Sequence, residues 1–432
     1  MAPEIIGLLG ILGLLVLLAL RVPVALAMMI VAVLGFGATV SPSSALARFG
    51  QDAFRDGSAY ALSVVPMFVL MGMFLANAGL GADLYRALGR FLWKVRGGLG
   101  IATIGASALF GAVNGSSVAA ATTMSLVAVP PMRKAGYNPG FAGAVTAAGS
   151  TLGSLIPPSA LLVLFGILTE FSIGDVLLAA LIPGLLVTVL LLVTAYLIAV
   201  FRPSLTGVTG KVAPPSDLTK VRALGLLWPI PLIFGVSMGG LYGGIFTPTE
   251  AGAAGAFLAL VYGVVTRRLS LKSFFSAVGR TIRISAMVFL LIIAGKMFGY
   301  FLTASRIPQG ASDWVSGLAV APVVIIFGMF VLYFILGALM DEASILVILT
   351  PITLPIALSL GYDGVWFGVI SIMMLLTGLI TPPVGIVDFV VSGVAKVELS
   401  SIFRHIAPFV IAVVIGVILV IIFPELALFL VS

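Results

Sequence analysis

The stretch Thr151-Leu-Gly-Ser-Leu-Ile-Pro-Pro-Ser159 interrupts an otherwise apolar run, and the chain carries a second copy as Thr377-Gly-Leu-Ile-Thr-Pro-Pro-Val-Gly385. Paired prolines remove two backbone donors and clash with the preceding turn, so an apolar helix holding them unwinds and leaves carbonyls without intrahelical partners. Inside a bilayer such backbone survives only where protein encloses it or where it lines a cavity. One copy alone reads as a plain proline kink. Two copies at matching places in two halves point instead to a transporter's binding site.

The rest of the chain supplies the bilayer. Of 432 residues, 61% are hydrophobic and 9% charged, and the mean hydropathy is +1.28. That is more apolar surface than a soluble core can use, so a polytopic membrane protein is expected. The chain has no cysteine, which excludes disulfides and thiolate metal sites, and His405 is its one histidine, which leaves little for imidazole chemistry. The formal charge of +7 could suit nucleic acid, but the basic residues fall between apolar runs, where they report topology. The first apolar stretch, 4–20, lacks a basic leader and a small-residue cleavage site, and is read as a retained helix.

Runs able to span, about 20 residues each, fall near 4–20, 22–40, 58–80, 138–168, 175–200, 224–242, 250–266, 284–304, 363–395 and 404–424. Two further apolar segments, 98–132 and 318–360, turn back midway, at Asn114-Gly-Ser-Ser117 and at Gly337-Ala-Leu-Met-Asp-Glu-Ala-Ser344. Each is expected as a re-entrant helical hairpin, with a pair of ordinary helices joined by a polar turn as the alternative. Starting outside puts 18 of the 22 basic residues, Lys211 among them, on the cytoplasmic face and leaves Arg48, Arg55, Lys296 and Arg306.

A fixed offset of 225 aligns Pro130 with Pro355, Gly136-Tyr137 with Gly361-Tyr362, Gly153 with Gly378, Pro157-Pro158 with Pro382-Pro383, and Pro183 with Pro408. Shared glycines and prolines mean shared backbone shape. Five crossings separate the two copies, and an odd number inverts the second. The expected fold is therefore an all-α polytopic membrane protein with an inverted structural repeat, two hairpins and two broken transmembrane helices. The expected division is 1–57, scaffold helices; 58–200, first repeat, with hairpin 98–132 and broken helix 138–168; 201–223, cytoplasmic linker with Pro214 and Pro215; 224–283, scaffold helices ending in a basic amphipathic stretch at 269–283 laid along the inner surface; and 284–432, second repeat, with hairpin 318–360 and broken helix 363–395.

At the first tip, Asn114, Ser116 and Ser117 stand where free N–H groups of the next arm would hold an anion, although helix capping alone also explains them. Ser159 joins this expected substrate set. The unwound carbonyls around Gly153, Ile156 and Pro158, with hydroxyls, suit a hard monovalent cation such as sodium. At the second tip Asp341 is the foremost residue, because a carboxylate in a membrane segment must be offset by a partner, an ion or a proton. Lys296 is an ion-pair partner, a substrate ligand or a snorkelling lysine. Asp388 and Glu342 are expected to face a solvated cavity or rim. No Gly-x-x-x-x-Gly-Lys-Ser/Thr loop is present, so ATP coupling within this chain is not expected, and neither a catalytic pair nor a metal cluster argues for an enzyme.

Asn114-Gly-Ser-Ser-Val118, Lys134-Ala-Gly-Tyr137, Ile156-Pro-Pro-Ser159, Ile182-Pro-Gly184 and Ile380-Thr-Pro-Pro-Val-Gly385 occur in an order that resembles the large membrane subunit of tripartite ATP-independent periplasmic (TRAP) transporters, the DctM-like family. The resemblance runs essentially end to end. It implies a sodium-driven elevator importer of organic acids in the bacterial inner membrane, working with a small four-helix membrane subunit and a periplasmic substrate-binding protein. It also implies one sodium site from the first tip, Asn114 and Ser117, with Gly153, Ile156 and Pro158, and a second from Gly337, Asp341, Gly378 and Thr381, with Pro383 of the second break beside them. The chain departs from the family in having Asn114 where serine is usual, Ala120 where an acidic residue is common, and Val387-Asp388 where asparagine is common. A stand-alone carboxylate symporter or exchanger of the related two-hairpin type is the alternative.

Overall fold

A computed structural model describes residues 2–207, 218–317 and 320–431. Lys211, Pro214 and Pro215 of the expected linker lie outside the described residues, as do the first two positions of the 318–360 segment. All regular structure among the described residues is helical.

Among the described residues, seven helices are long and apolar enough to cross a membrane: Tyr60–Asn77, Ile173–Phe201, Lys220–Tyr242, Pro248–Val265, Leu271–Ala304, Glu342–Ser359 and Leu399–Ile422. Six of these coincide with expected crossings. The first two expected crossings form helices of 17 and 16 residues, Pro3–Ala19 and Val24–Thr39, about 24–26 Å long at 1.5 Å per residue. The remaining one of the seven, Glu342–Ser359, is the second arm of the later expected hairpin and stays helical through Pro351 and Pro355 over its 18 residues. The expected boundary at 283/284 falls inside one continuous helix, the 34-residue Leu271–Ala304. Its first turns are anchored in the protein. Phe274 stacks on Phe74 at 5.5 Å, the Asn77 amide donates to the Ser273 carbonyl at 2.9 Å, and Ala277 is fully enclosed. From Leu271 the basic stretch is therefore continuous with this helix, packed along one face while Lys272, Arg280 and Arg283 are exposed.

The two breaks are real interruptions. Pro139–Thr151 stops at a 3-10 turn, Leu152–Ser154, before Ala160–Thr169 begins, and Gly364–Gly378 stops before Ile386–Ala395. Both tips reverse where expected, between Gly98–Asn114 and Ser117–Val127, and between Pro322–Gly337 and Glu342–Ser359. Element starts repeat 225 residues apart: Ser117 and Glu342, Pro139 and Gly364. Their caps repeat too, with Ser116 accepting from the Ala119 N–H and Asp341 from the Ser344 N–H, each satisfying a donor the helix cannot.

Packing follows the same plan in both halves. Each hairpin lays both arms on the first half-helix of the break that follows it, and each second half-helix crosses over. Ile386–Ala395 packs on Ser117–Val127 and Pro139–Thr151, while Ala160–Thr169 packs on Glu342–Ser359 and Gly364–Gly378. The exchange is reciprocal, and it brings the half-helix after each break against the other half's hairpin. Val24–Thr39, Val64–Asn77, Pro248–Val265 and Leu271–Ala304 pack on one another beside this core.

Candidate functional site

Backbone approaches at both breaks are closer than any side chain permits. A Cβ on Gly111 would lie 2.7 Å from the Gly153 Cα, and one on Gly153 would lie 2.8 Å from the Ser116 carbonyl oxygen. In the second half, a Cβ on Gly337 would lie 2.7 Å from the Leu375 carbonyl oxygen, and one on Gly378 would lie 2.4 Å from that of Phe334. Gly115 turns the first tip at φ 66°, and a side chain there would run 2.7 Å from the Pro158 carbonyl oxygen. Only residues without a Cβ let tip and break meet at this range.

The first site is enclosed. Asn114 is 6% exposed, Gly153, Ile156 and Pro158 are buried, and Ser117 is fully buried. The Ser117 N–H donates to Ser154 Oγ at 3.0 Å and its hydroxyl to the same oxygen at 2.8 Å, with the Thr151 carbonyl 3.3 Å away. Asn114 Nδ2 donates to the Ser116 carbonyl at 3.3 Å, while Asn114 Oδ1 is enclosed without a partner. The tip's N–H groups are thus largely met internally, as capping by Ser116 requires. Ser159 needs a correction. Its buried hydroxyl donates to the Ser154 carbonyl at 2.6 Å and accepts from the N–H groups of Leu161 and Leu162, so it ties the break to the next half-helix and has nothing left for a substrate.

The second site is more open. Gly337 and Gly378 are buried, but Asp341, Pro382 and Pro383 are exposed and Thr381 is half-buried, its hydroxyl donating to the Thr377 carbonyl at 2.7 Å. Asp341 Oδ1 accepts from the Ser344 N–H at 3.0 Å, so this carboxylate is an exposed N-cap whose charge sits at the positive end of Glu342–Ser359.

Three expectations about charged residues are corrected. Lys296 joins neither tip. Its ammonium lies 3.5 Å from Asp56 Oδ1 and 3.7 Å from Glu170 Oε1, and the clefts it lines, of about 270 and 290 Å³, hold none of Asn114, Ser116 and Ser117. Of its three possible roles the geometry gives it the ion pair. Arg48 and Arg55 extend the network through Asp52 and Asp56, and Asp52, with Asp56 next, holds the Arg55 guanidinium above its ordinary range. Three of the four basic residues left off the cytoplasmic face are thereby paired. Asp388 lines no rim, for it is 0% exposed and neither carboxyl oxygen has a partner. Glu342 reaches inward from the second tip to the first break, where Oε1 accepts from the Ser154 hydroxyl at 2.8 Å and Oε2 is enclosed without a partner.

Sequence reasoning missed Ser154 as a site residue because its counterpart 225 residues on is Leu379, so it left no mark on the repeat. Its hydroxyl inside the quoted break was the available signal.

The chain matches the family described as tripartite ATP-independent periplasmic transporter, DctM component, over residues 11–426. It is 34% identical over 376 residues to the isethionate TRAP transporter permease protein DctMQ of Oleidesulfovibrio alaskensis, spanning 86% of this chain and 58% of that one. It is 33% identical to the sialic acid TRAP transporter large permease protein SiaM of Vibrio cholerae over 86% of each chain, and 32% identical to the C4-dicarboxylate TRAP transporter large permease protein DctM of Pseudomonas aeruginosa over 87% of each. The crystal structure of the Alcanivorax borkumensis YdaH transporter superposes with a TM-score of 0.66 over 89% of this chain and 90% of that one, at 16% identity, a likeness of fold. With two hairpins, two breaks and a match spanning nearly its whole length, the chain belongs to the DctM component family of tripartite ATP-independent periplasmic transporters.

Proposed function

We propose that this chain is the large membrane subunit of a sodium-coupled importer that carries a small organic anion across the bacterial inner membrane by an elevator movement. The observation that carries the proposal is the seating of each unwound break on the hairpin of its own half at glycine-to-backbone contact, with the half-helix after each break packed on the other half. That arrangement gathers oxygens of hydroxyls, carbonyls and carboxylates, the donor set a hard cation takes. Sodium would use Asn114, Ser117, Gly153, Ile156 and Pro158 in one half and Gly337, Asp341, Gly378, Thr381 and Pro383 in the other. The relatives named for isethionate, sialic acid and C4-dicarboxylates all carry acids, which supports an anionic substrate. The chemistry is transport and not catalysis, with no ATP and no nucleic acid. The partners are a small four-helix membrane subunit and a periplasmic substrate-binding protein.

Liposomes test the partners. With isotope-labelled succinate, sialate and isethionate as solutes, accumulation should require an inward sodium gradient, the small subunit and the binding protein together. Robust sodium-driven uptake by this chain alone would make it a stand-alone symporter.

Inversion of the repeat has its own test. Lys134 and Asp363 are both exposed and the chain has no cysteine, so single cysteines at 134 and 363 should react with a membrane-impermeant maleimide from opposite faces. Labelling of both from one face would refute it.

A further inference from the structure

At the first break the proton donors run out before the acceptors do. The Ser154 hydroxyl has one proton, given to Glu342 Oε1 at 2.8 Å, and the Ser117 hydroxyl has one, pointed at Ser154 Oγ. The Ser116 carbonyl takes the Asn114 amide. What remains is Glu342 Oε2 and Asn114 Oδ1, two enclosed oxygens with no partner, and Asn114 is 6% exposed. They belong to one contiguous patch. Asn114 and Ser117 flank the tip, Gly153 packs on the Ser116 carbonyl, and Ser154 next to it touches both Ser117 and Glu342. Enclosed acceptors without donors are costly, and a carboxylate among them more so. A cation bound where Ser117, Ser154 and Glu342 meet would take up the unpartnered Glu342 Oε2.

We propose that Glu342, delivered by the second half's hairpin, completes the cation site of the first half and supplies its negative charge. The proposal rests on the sodium reading of the first tip and goes beyond it, because the ligand set then spans both halves. The site is whole only while the Glu342–Ser359 hairpin arm stays docked at the first break, so an ion there ties the two halves together. No charged residue lies on Gly98–Asn114, Ser117–Val127 or Pro139–Thr151 to take this role.

The test needs no substrate. For the chain purified from membranes in detergent, thermal unfolding is followed by tryptophan fluorescence while sodium chloride replaces choline chloride at constant ionic strength. In Glu342→Gln the sodium concentration giving half the stabilisation should rise about a hundredfold or more, as loss of an enclosed unit charge beside a cation requires. Ser154→Ala should raise it by a smaller factor, and the double variant should match Glu342→Gln alone within about twofold, since contacting partners are coupled. If Glu342→Gln keeps the original midpoint while Asp341→Asn shifts it, the first site closes without Glu342 and the inference falls while sodium binding stands. If the Glu342 and Ser154 effects multiply, Glu342 does not act at the first break and the inference also falls. If the unmodified chain gains no stability from sodium over choline, the sodium reading fails and takes the inference with it. Should Glu342→Gln not fold, Ser154→Ala with an unchanged midpoint would overturn it.

Discussion

Gly378→Val will lower the thermal unfolding midpoint of the purified chain and abolish transport, the largest loss expected of any single substitution here. A Cβ at 378 would lie 2.4 Å from the Phe334 carbonyl oxygen and 2.7 Å from both the Ala338 nitrogen and the Gly337 carbonyl carbon. All three are main-chain atoms in or just after the hairpin arm Pro322–Gly337, so none can rotate aside as a side chain would. The arm must back away from Gly364–Gly378, and overpacking of this kind costs about 3 kcal/mol or more. The sites depend on that contact, so sodium should cease to stabilise whatever protein still folds. Gly393→Ala is the control, because nothing lies within 4 Å of a Cβ there, and it should leave stability unchanged or raise it by about 0.5–1 kcal/mol. Fluorescence-detected unfolding of both variants decides the matter, and a Gly378→Val chain with the original midpoint would mean the hairpin is not seated as described.

The second large effect is expected of Asp341→Asn. Its interest lies in what the substitution keeps. Asp341 Oδ1 caps Glu342–Ser359 through the Ser344 N–H, and asparagine caps a helix about as well as aspartate, so the fold is preserved and only charge is lost. At close contact and an effective dielectric near 20, a unit charge beside a cation is worth about 4 kcal/mol. Asp341 is exposed and water screens part of that, so a tenfold to hundredfold fall in apparent sodium affinity is expected, with uptake recovering in part at high sodium. The comparison variant is Asp363→Asn, which removes charge from another exposed N-cap, one that accepts from Val365 and Trp366, and should leave sodium dependence unchanged. Asp388→Asn is unsuitable as an inert control, since that carboxyl is wholly enclosed. Initial uptake against sodium concentration for the two variants is the measurement, and equal sodium affinity in both would remove Asp341 from the second site.

Much of the architecture was written in local patterns. Composition dictated a polytopic helical membrane protein, because an apolar run of spanning length has one stable form in lipid. The paired prolines marked both breaks and Asn114-Gly-Ser-Ser117 and Asp341 marked both tips, because prolines, glycines and capping residues act on their own backbone within a turn. The motifs in order named the family. Tertiary structure alone decided who meets whom. Glu342 finds Ser154 of the other half, Lys296 finds Asp56 and Glu170, and Asp388 is sealed away with no partner, while Ser159 spends its hydroxyl on the break. Apart from Ser159, whose partners all lie within five residues of it, none of these is a property of neighbouring residues. The Glu342–Ser154 contact follows from packing between the halves and the Lys296–Asp56 pair from the packing of Leu271–Ala304 on Pro42–Gly57, joining positions 188 and 240 residues apart, and a one-dimensional pattern of polar and apolar residues records that a charge must be met but not which group will meet it.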